Sequence, residues 1–413
     1  MLSLMVVKSV KPRQGVYQML NDNVFNELLA KVYSSIDEQK EYAFSVSDDI
    51  AAHPELSGEE FRTAGIFSGW LKKDGFDVEM PYCGMDTAFI AKKGSGKPRV
   101  AILVETDALP VVGHGCGHNL SGTMSVLAGT ALLKVMDEIK GELLVIGTPA
   151  EETWGAKCRM ADMGVMDDID LAIMIHCTSQ KNLVSMTTPA LQGWNITFTG
   201  VASHAAAAPW DGRNAFNGAR LFFDALDMMR QHVRPEIRMH GILKECGTAV
   251  NTVPEKAAIL LELRAPDKRD LEKITERVKK CAAGASAATE TDMVFEKNFT
   301  SFDNSLELSS LESIVQSGFD SVGLQTSEKE SPGGASDMGD ISWRCPAIQP
   351  LLSIVDRKVP LHTSEFEAAT RSELGHARLA AGAKVIAYTA LKILMDENAR
   401  KDVKEEFLRK KNG

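Results

Sequence analysis

Apolar positions recur at helical spacing through IDEQKEYAFSVSDDIAAH and again through EEFRTAGIFSGWLKKDG, which predicts helices over residues 36–75, with Gly75 ending the second. A strand-like FDVEM follows. Next comes PRVAILVE, a short apolar run with β-branched residues, as in a strand buried on both faces. A glycine-rich loop leads to a helix around MSVLAGTALLKVMDEI, and GELLVIGT and DLAIMIHC read as two more buried strands. Such strand–helix alternation predicts a mainly parallel sheet with helices on both faces.

The pattern changes near residue 189. GWNITFTGVAS alternates apolar and polar positions, as a half-exposed strand does, and NAFNGARLFFDALDMMRQHV is an amphipathic helix. ILKECGTAVNTVPEKAAILLELRA reads as two strands around a proline turn, LEKITERVKKCAAGASAAT as a helix and DMVFEKNF as a strand. The first pattern then returns with a helix near 305–318, the loop SPGGASDMGD, the strand AIQPLLSIV and a final helix over 366–396. The expected fold is therefore an α/β domain formed by residues 1–188 and 302–413, interrupted by a two-layer α+β unit at 189–301.

Composition narrows the function. A chain of 413 residues exceeds one ordinary core, and its net charge of -10 argues against nucleic acid or an anionic membrane as the main partner. It contains no apolar run of membrane-spanning length. The opening MLSLMVVKSVKPRQG lacks the basic start and small-residue cleavage site of a signal peptide and reads as a loose terminal segment of a cytoplasmic protein. The seven cysteines show no paired spacing, so reduced thiols are expected, any one of which could serve as a ligand.

Ligands of open α/β sheets bind outside the carboxyl ends of the strands. There the chain carries Asp107, His114, Cys116 and His118 after one strand, Glu151 and Glu152 after the next, His176 at the end of a third, and Asp356 and His362 after a fourth. Thiolate, imidazole and carboxylate are ligands of Zn²⁺ and related ions. Two ions about 4 Å apart need a bridging ligand, and a carboxylate held off the ions serves as general base. The adjacent Glu151 and Glu152 suit that division, because neighbouring side chains point in different directions.

In order, TDALPVVGHGCGHN, GTPAEE, the strand-end His176, SHAAAAPWDGRNA, AVNTVP, SDMGDIS and LHTSEF resemble the motifs of the dinuclear metallopeptidases that include aminoacylase and carboxypeptidase G. The likeness is greatest to their amidohydrolase branch, which holds the indole-acetyl-amino-acid hydrolases and p-aminobenzoyl-glutamate hydrolase. The resemblance runs from about His53 to the end of the final helix. It implies a phosphorylase/hydrolase-like metallopeptidase domain whose insert is a lid and dimerisation domain. By the same resemblance Cys116 bridges two ions, Glu152, His118, His176 and His362 complete the ligand set, Glu151 is the general base and Asp107 orients a ligand. His204 is implied to reach the active site of a partner subunit, and Asn251 to lie near the substrate. Two departures stand out: Asn119 replaces an aspartate common in relatives, and His176 is followed by Cys177 rather than proline.

The expected activity is hydrolysis of a C–N bond, most simply the amide of a small N-acyl or N-aroyl amino acid or a dipeptide. It would use two divalent ions per chain, Mn²⁺ or Zn²⁺ with Co²⁺ and Ni²⁺ as further candidates, in a homodimer formed through the insert. The ions would make a water acidic, Glu151 would move its proton to the leaving nitrogen, and His204 would stabilise developing charge. A substrate carboxylate would meet Arg234 or the backbone N–H groups of Gly333 and Gly334. Two rivals are hydrolytic deamination of an aromatic amine such as an anthranilate on the same site, which releases ammonia, and a non-catalytic binding protein, which the intact ligand set with Glu151 disfavours.

Overall fold

The run Arg99–Val104, β3, lies inside a six-stranded sheet of order β1-β2-β4-β3-β5-β11. The computed structural model describes residues 14–329 and 334–413; the opening segment before Gln14 and the Gly333 of the candidate anion loop lie outside the described residues. β3 pairs in parallel with β4 (Gly141–Gly147) and β5 (Leu171–Ile173), and β5 pairs in parallel with β11 (Ala347–Ile348). Two antiparallel strands, β1 (Asp77–Glu79) and β2 (Phe89–Ser95), extend the other edge. β2 escapes a reading by pattern because only its first three residues are fully buried and its Lys-Lys-Gly-Ser half runs out towards solvent.

Two of the expected strands are broken. DLAIMIHC splits into β5 and β6 (His176–Thr178), and AIQPLLSIV into β11 and β12 (Leu351–Ser353); β6 and β12 form a separate parallel pair. Pro350 has no N–H for the ladder, and its carbonyl instead accepts from the His176 N–H at 3.0 Å. The break carries His176 off the main sheet and into the separate pair, opposite Leu351.

Helices cover the sheet. α1 (Gln14–Ala52) is much longer than the expected start at residue 36, and residues 14 and 15 belong to it rather than to a loose terminus. Phe25, Leu28, Leu29, Val32 and Ile36 form a stripe at helical spacing and are buried in the main core, which is why the helix extends so far back. α2 (Phe61–Asp74) ends at left-handed Gly75, as expected. α3 (His118–Met136) runs through the core between sheet and outer helices. A Cβ on its Gly122 would lie 2.4 Å from the Glu105 carbonyl oxygen, so only glycine permits this approach to the end of β3. α4 (Ala156–Asp162) follows β4.

Residues between Ala190 and Phe302 build a second layer pair with its own core. β7 (Ala190–Thr199), β8 (Arg238–Cys246), β9 (Lys256–Ala265) and β10 (Asp292–Phe302) form an antiparallel sheet of order β10-β7-β9-β8. β9 buries every second residue, Ala257, Ile259, Leu261, Leu263 and Ala265, against α5 (Ala215–Arg230) and α6 (Lys268–Thr289). The chain returns through α7 (Ser309–Ser321) and α8 (Met338–Ser342). The single final helix expected over 366–396 is three: α9 (Ser364–Ala369), α10 (Glu373–Met395) and α11 (Glu397–Asn412). Thr363, Ser372 and Asp396 each accept N–H bonds at a new helix start, and these caps cut the run. Among the described residues no helix is long and apolar enough to cross a membrane.

Candidate metal centre

The centre is assembled where β3 and β4 end and β6 begins. After β3 the chain makes a tight loop in which the Leu109 and Gly113 N–H groups bond each other's carbonyls at 2.9 and 3.1 Å, and it then delivers His114, Cys116 and His118. Gly117 caps α3 with φ 82°; a Cβ there would lie 2.7 Å from the Cys177 Cβ. Glycine thus lets the ligand loop sit directly on β6 and brings Cys116 to His176. The Cys116 Sγ lies 3.3 Å from His176 Nε2 and 3.6 Å from His362 Nε2, and His362 Nε2 lies 3.7 Å from Glu152 Oε2.

All five residues read as ligands therefore meet. Candidate ligand atoms cluster within 4.8 Å in Cys116–His118–His176, in Cys116–Glu152–His362 and in His118–Glu151–Glu152. Cys116 belongs to the first two triads, the position a shared ligand would take. Two of the imidazoles are preset. His176 Nδ1 faces the Cys177 carbonyl at 2.7 Å and His118 Nδ1 faces the Asp107 carbonyl at 3.0 Å; a carbonyl only accepts, so both Nδ1 atoms carry the proton and both Nε2 atoms are free to ligate. The fit to cations is visible in what lacks a partner: His118 Nε2, Glu152 Oε1 and Glu105 Oε2 are buried with no hydrogen bond. His118 Nε2 and Glu105 Oε2 face each other at 3.3 Å, a pair of acceptors that requires a proton or a cation between or beside them.

The supports of these candidate ligands are equally specific. The Asp107 carboxylate faces His118 Nδ1 at 3.1 Å and accepts from the Ser57 hydroxyl at 2.7 Å and the Glu152 N–H at 3.0 Å. Burial alone would raise its pKa, but the His118 hydrogen bond and charge and these donors hold it below the ordinary range. Asp107 thus orients one candidate ligand and pins the backbone of another. Ala150, at φ 60°, turns the chain before Glu151, and its N–H donates to the buried Glu60 carboxylate at 2.8 Å. His362 also has a left-handed backbone, φ 62°, held by its N–H bond to the Gly115 carbonyl at 2.9 Å.

In the protein alone, burial pushes the Cys116 thiol well above its usual range, so a nearby cation is what would make it a thiolate. Burial opposes charge on His118, yet Glu105 and Asp107 raise it well above the ordinary imidazole value. The enclosed setting of Glu151, with Glu105 and Asp337 nearby, raises its carboxyl well above the normal range, as suits a group that takes up and returns a proton. Burial drives His114 down to about 3 and keeps it neutral.

The insert presents the next candidates together. His204 is exposed, bridges Thr252, and accepts the Ala206 and Ala207 N–H groups on Nδ1 at 3.2 and 3.1 Å. Its proton therefore sits on Nε2, which is left as a donor. Asn251 is exposed beside it, its carbonyl accepting from the Ala205 N–H at 2.9 Å. Arg234 lies beyond the end of α5, largely exposed, and pairs with Asp270 of α6 at 3.8 Å, so it stands with the acids of the insert and not with the ligand cluster. Gly334 is exposed, three residues before Asp337. Asn119 is buried and donates to Ser47 of α1 at 3.1 Å, so this departure ties α3 to the long first helix. Cys177 packs beneath the ligand loop, its thiol donating to the Gly117 carbonyl at 3.5 Å.

Glu60, Glu105, Lys157 and Asp337 were not singled out by the sequence. Glu105 had a signal, an acid at the very end of an apolar strand; Glu60 had none, since EEFR reads as an exposed helix start.

Comparison with known proteins gives three results. The family description "Peptidase dimerisation domain" matches residues 188–290. Xaa-Arg dipeptidase of Mus musculus is 31% identical over 391 residues, covering 90% of each chain, and a p-aminobenzoyl-glutamate hydrolase chain of Escherichia coli (strain K12) is 27% identical, covering 92% of this chain and 95% of the relative. A dinuclear metal-binding peptidase of the M20 family from Bacillus subtilis superposes with a TM-score of 0.68 at 19% identity, over 87% of this chain and 99% of that one.

Proposed function

Since this chain belongs to the M20 peptidase family and is a metal-dependent hydrolase of C–N bonds, we propose that it cleaves the amide of a small dipeptide or N-aroyl amino acid carrying a free carboxylate beside the scissile bond. The observation that carries the reading is the cluster of two triads sharing Cys116, with Glu151 at its side. Cys116, His118, Glu152, His176 and His362 would hold two ions, with Mn²⁺, Zn²⁺, Co²⁺ and Ni²⁺ all compatible with this mixed thiolate, imidazole and carboxylate set. When bound, the ions supply the Lewis acidity that makes a water nucleophilic near neutral pH. Glu151 takes the proton of that water and returns it to the leaving nitrogen, for which a raised pKa suits it. Asp107 keeps His118 in one tautomer throughout. The Nε2–H of His204 donates to the oxygen on which charge develops.

The relatives' names motivate the test panel: dipeptides ending in Arg, p-aminobenzoyl-glutamate and indole-3-acetyl-aspartate. Hydrolysis should yield a carboxylic acid and an amino acid. Ammonia release without a new carboxylate would instead establish deamination and overturn the amide reading. Esterifying the substrate carboxylate is expected to lower kcat/KM by about tenfold or more, because a charge-assisted contact contributes about 1.5–3 kcal/mol. Equal cleavage of acid and methyl ester would remove the carboxylate from the reading.

The unit at 189–301 is proposed to form a homodimer that brings His204 to the partner's ions. β8 is an edge strand with Ile242 and Leu243 exposed, and the matched dimerisation family covers it. Mixing Glu151→Gln chains with His204→Ala chains should then restore about a quarter of wild-type activity, since half the dimers are mixed and each has one complete site. No recovery after demonstrated exchange of chains would show that His204 does not act in trans.

A further inference from the structure

Behind the ligand cluster sits a lysine with no solvent contact. Lys157, in the first turn of α4, is wholly buried, as are the side chains of its two partners, Glu105 after β3 and Asp337 before α8. Its Nζ donates to Glu105 Oε1 at 2.8 Å and to Asp337 Oδ1 at 2.7 Å, while its backbone N–H donates to Asp337 Oδ2 at 3.3 Å. Burying an ammonium is costly unless carboxylates surround it, and removing one member of such a group leaves uncompensated charge in the interior. The acids do not stop at Lys157. The second oxygen of Glu105 faces His118 Nε2 at 3.3 Å, and carboxylate oxygens of Glu105, Glu151 and Asp337 lie within 4.8 Å of one another. Two acids from different segments thus hold one ammonium, a third, the proposed base Glu151, stands beside them, and the group adjoins the proposed ligand His118.

We infer that Lys157 is a positioning residue: as the resident cation of the Glu105–Glu151–Asp337 triad, it holds Glu105 against His118 and keeps Glu151 aligned for proton transfer. Without it Glu105 and Asp337 repel across a dry interior, Glu105 leaves His118, and Glu151 shifts with its neighbours. The inference rests on the reading of His118 as ligand and Glu151 as base.

Two variants of the metal-loaded full-length enzyme test it, Lys157→Met and the charge-balanced Lys157→Met/Asp337→Asn, assayed for Tm, ions per chain, kcat and KM on the best substrate of the panel. Lys157→Met should lose about a hundredfold in kcat, the cost of a small misplacement, with KM within about twofold. The double variant should regain Tm and metal content without regaining kcat. Recovery of kcat along with Tm in the double variant would reduce Lys157 to charge balance, and a Lys157→Met enzyme within about twofold of wild-type kcat would overturn the inference outright. Should the single variant fail to fold, the double variant decides alone. Glu151→Gln, measured alongside, separates the layers: if it is inactive while Lys157→Met is normal, only the role of Lys157 falls, whereas an active Glu151→Gln overturns both.

Discussion

Glu151→Gln is expected to lower kcat by about 10²–10⁴-fold while two ions stay bound, because one side chain supplies both the proton acceptance and the later donation. Glutamine keeps the shape and can form hydrogen bonds, but it cannot take the proton. The carboxyl's setting supports this assignment: enclosure and the charges of Glu105 and Asp337 raise its proton affinity, as a group that must hold a proton between two transfers requires. Glu151 also groups with His118 and Glu152 as a possible ligand, and metal analysis distinguishes the two roles. Loss of an ion from Glu151→Gln would make it a ligand; turnover near wild type would end its role as base.

Removal of the shared thiol should have the other large effect. Cys116→Ala takes one donor from each of two triads, so metal affinity is expected to fall by more than about 100-fold, beyond the usual cost of losing a supporting group, and activity should fall with ion content. Chelation of the wild-type enzyme should abolish turnover, with recovery on adding back Mn²⁺, Zn²⁺, Co²⁺ or Ni²⁺. Because burial keeps the free thiol protonated, binding there must displace a proton. Apparent affinity should therefore rise about tenfold per pH unit for each proton released and fall as pH drops. Full activity in metal-free protein, or a Cys116→Ala variant that keeps both ions, would refute the shared-thiol centre.

Much of this was legible because it depends on local pattern. The runs VAILV and LLVIG inside PRVAILVE and GELLVIGT are buried on both faces and contain no polar interruption, so their neighbours in the fold could not change what they become. The period-2 alternation of β9 and the amphipathic α5 likewise expose the second layer pair without reference to the rest of the chain. Ligand-type residues directly after strand ends pointed to one sheet edge, since a parallel strand order places those ends together. Four such residues, His118, Glu152, His176 and His362, do meet around Cys116.

Other features were decided only when distant segments met. Lys157 is 52 residues from Glu105 and 180 from Asp337, and nothing in GAKCRM distinguishes a buried ammonium from an exposed lysine, because burial is a property of what folds over it. The start of α1 is hidden in the sequence for the same reason: its stripe of Phe25, Leu28, Leu29 and Val32 acquires a partner only when α3 and α10 form the opposing face. Arg234 sits at a plausible helix end in the sequence, yet the arrangement of the insert pairs it with Asp270. The tautomers of His118 and His176 follow from carbonyls set by the backbone path, and the left-handed turn at His362 follows from a single bond to Gly115. Residue types and strand ends therefore determined which chemistry was available and on which edge. Long-range packing decided which nitrogen is left free to ligate, which carboxylate faces the lysine and which arginine stays outside, because each depends on atoms brought close only by the completed fold.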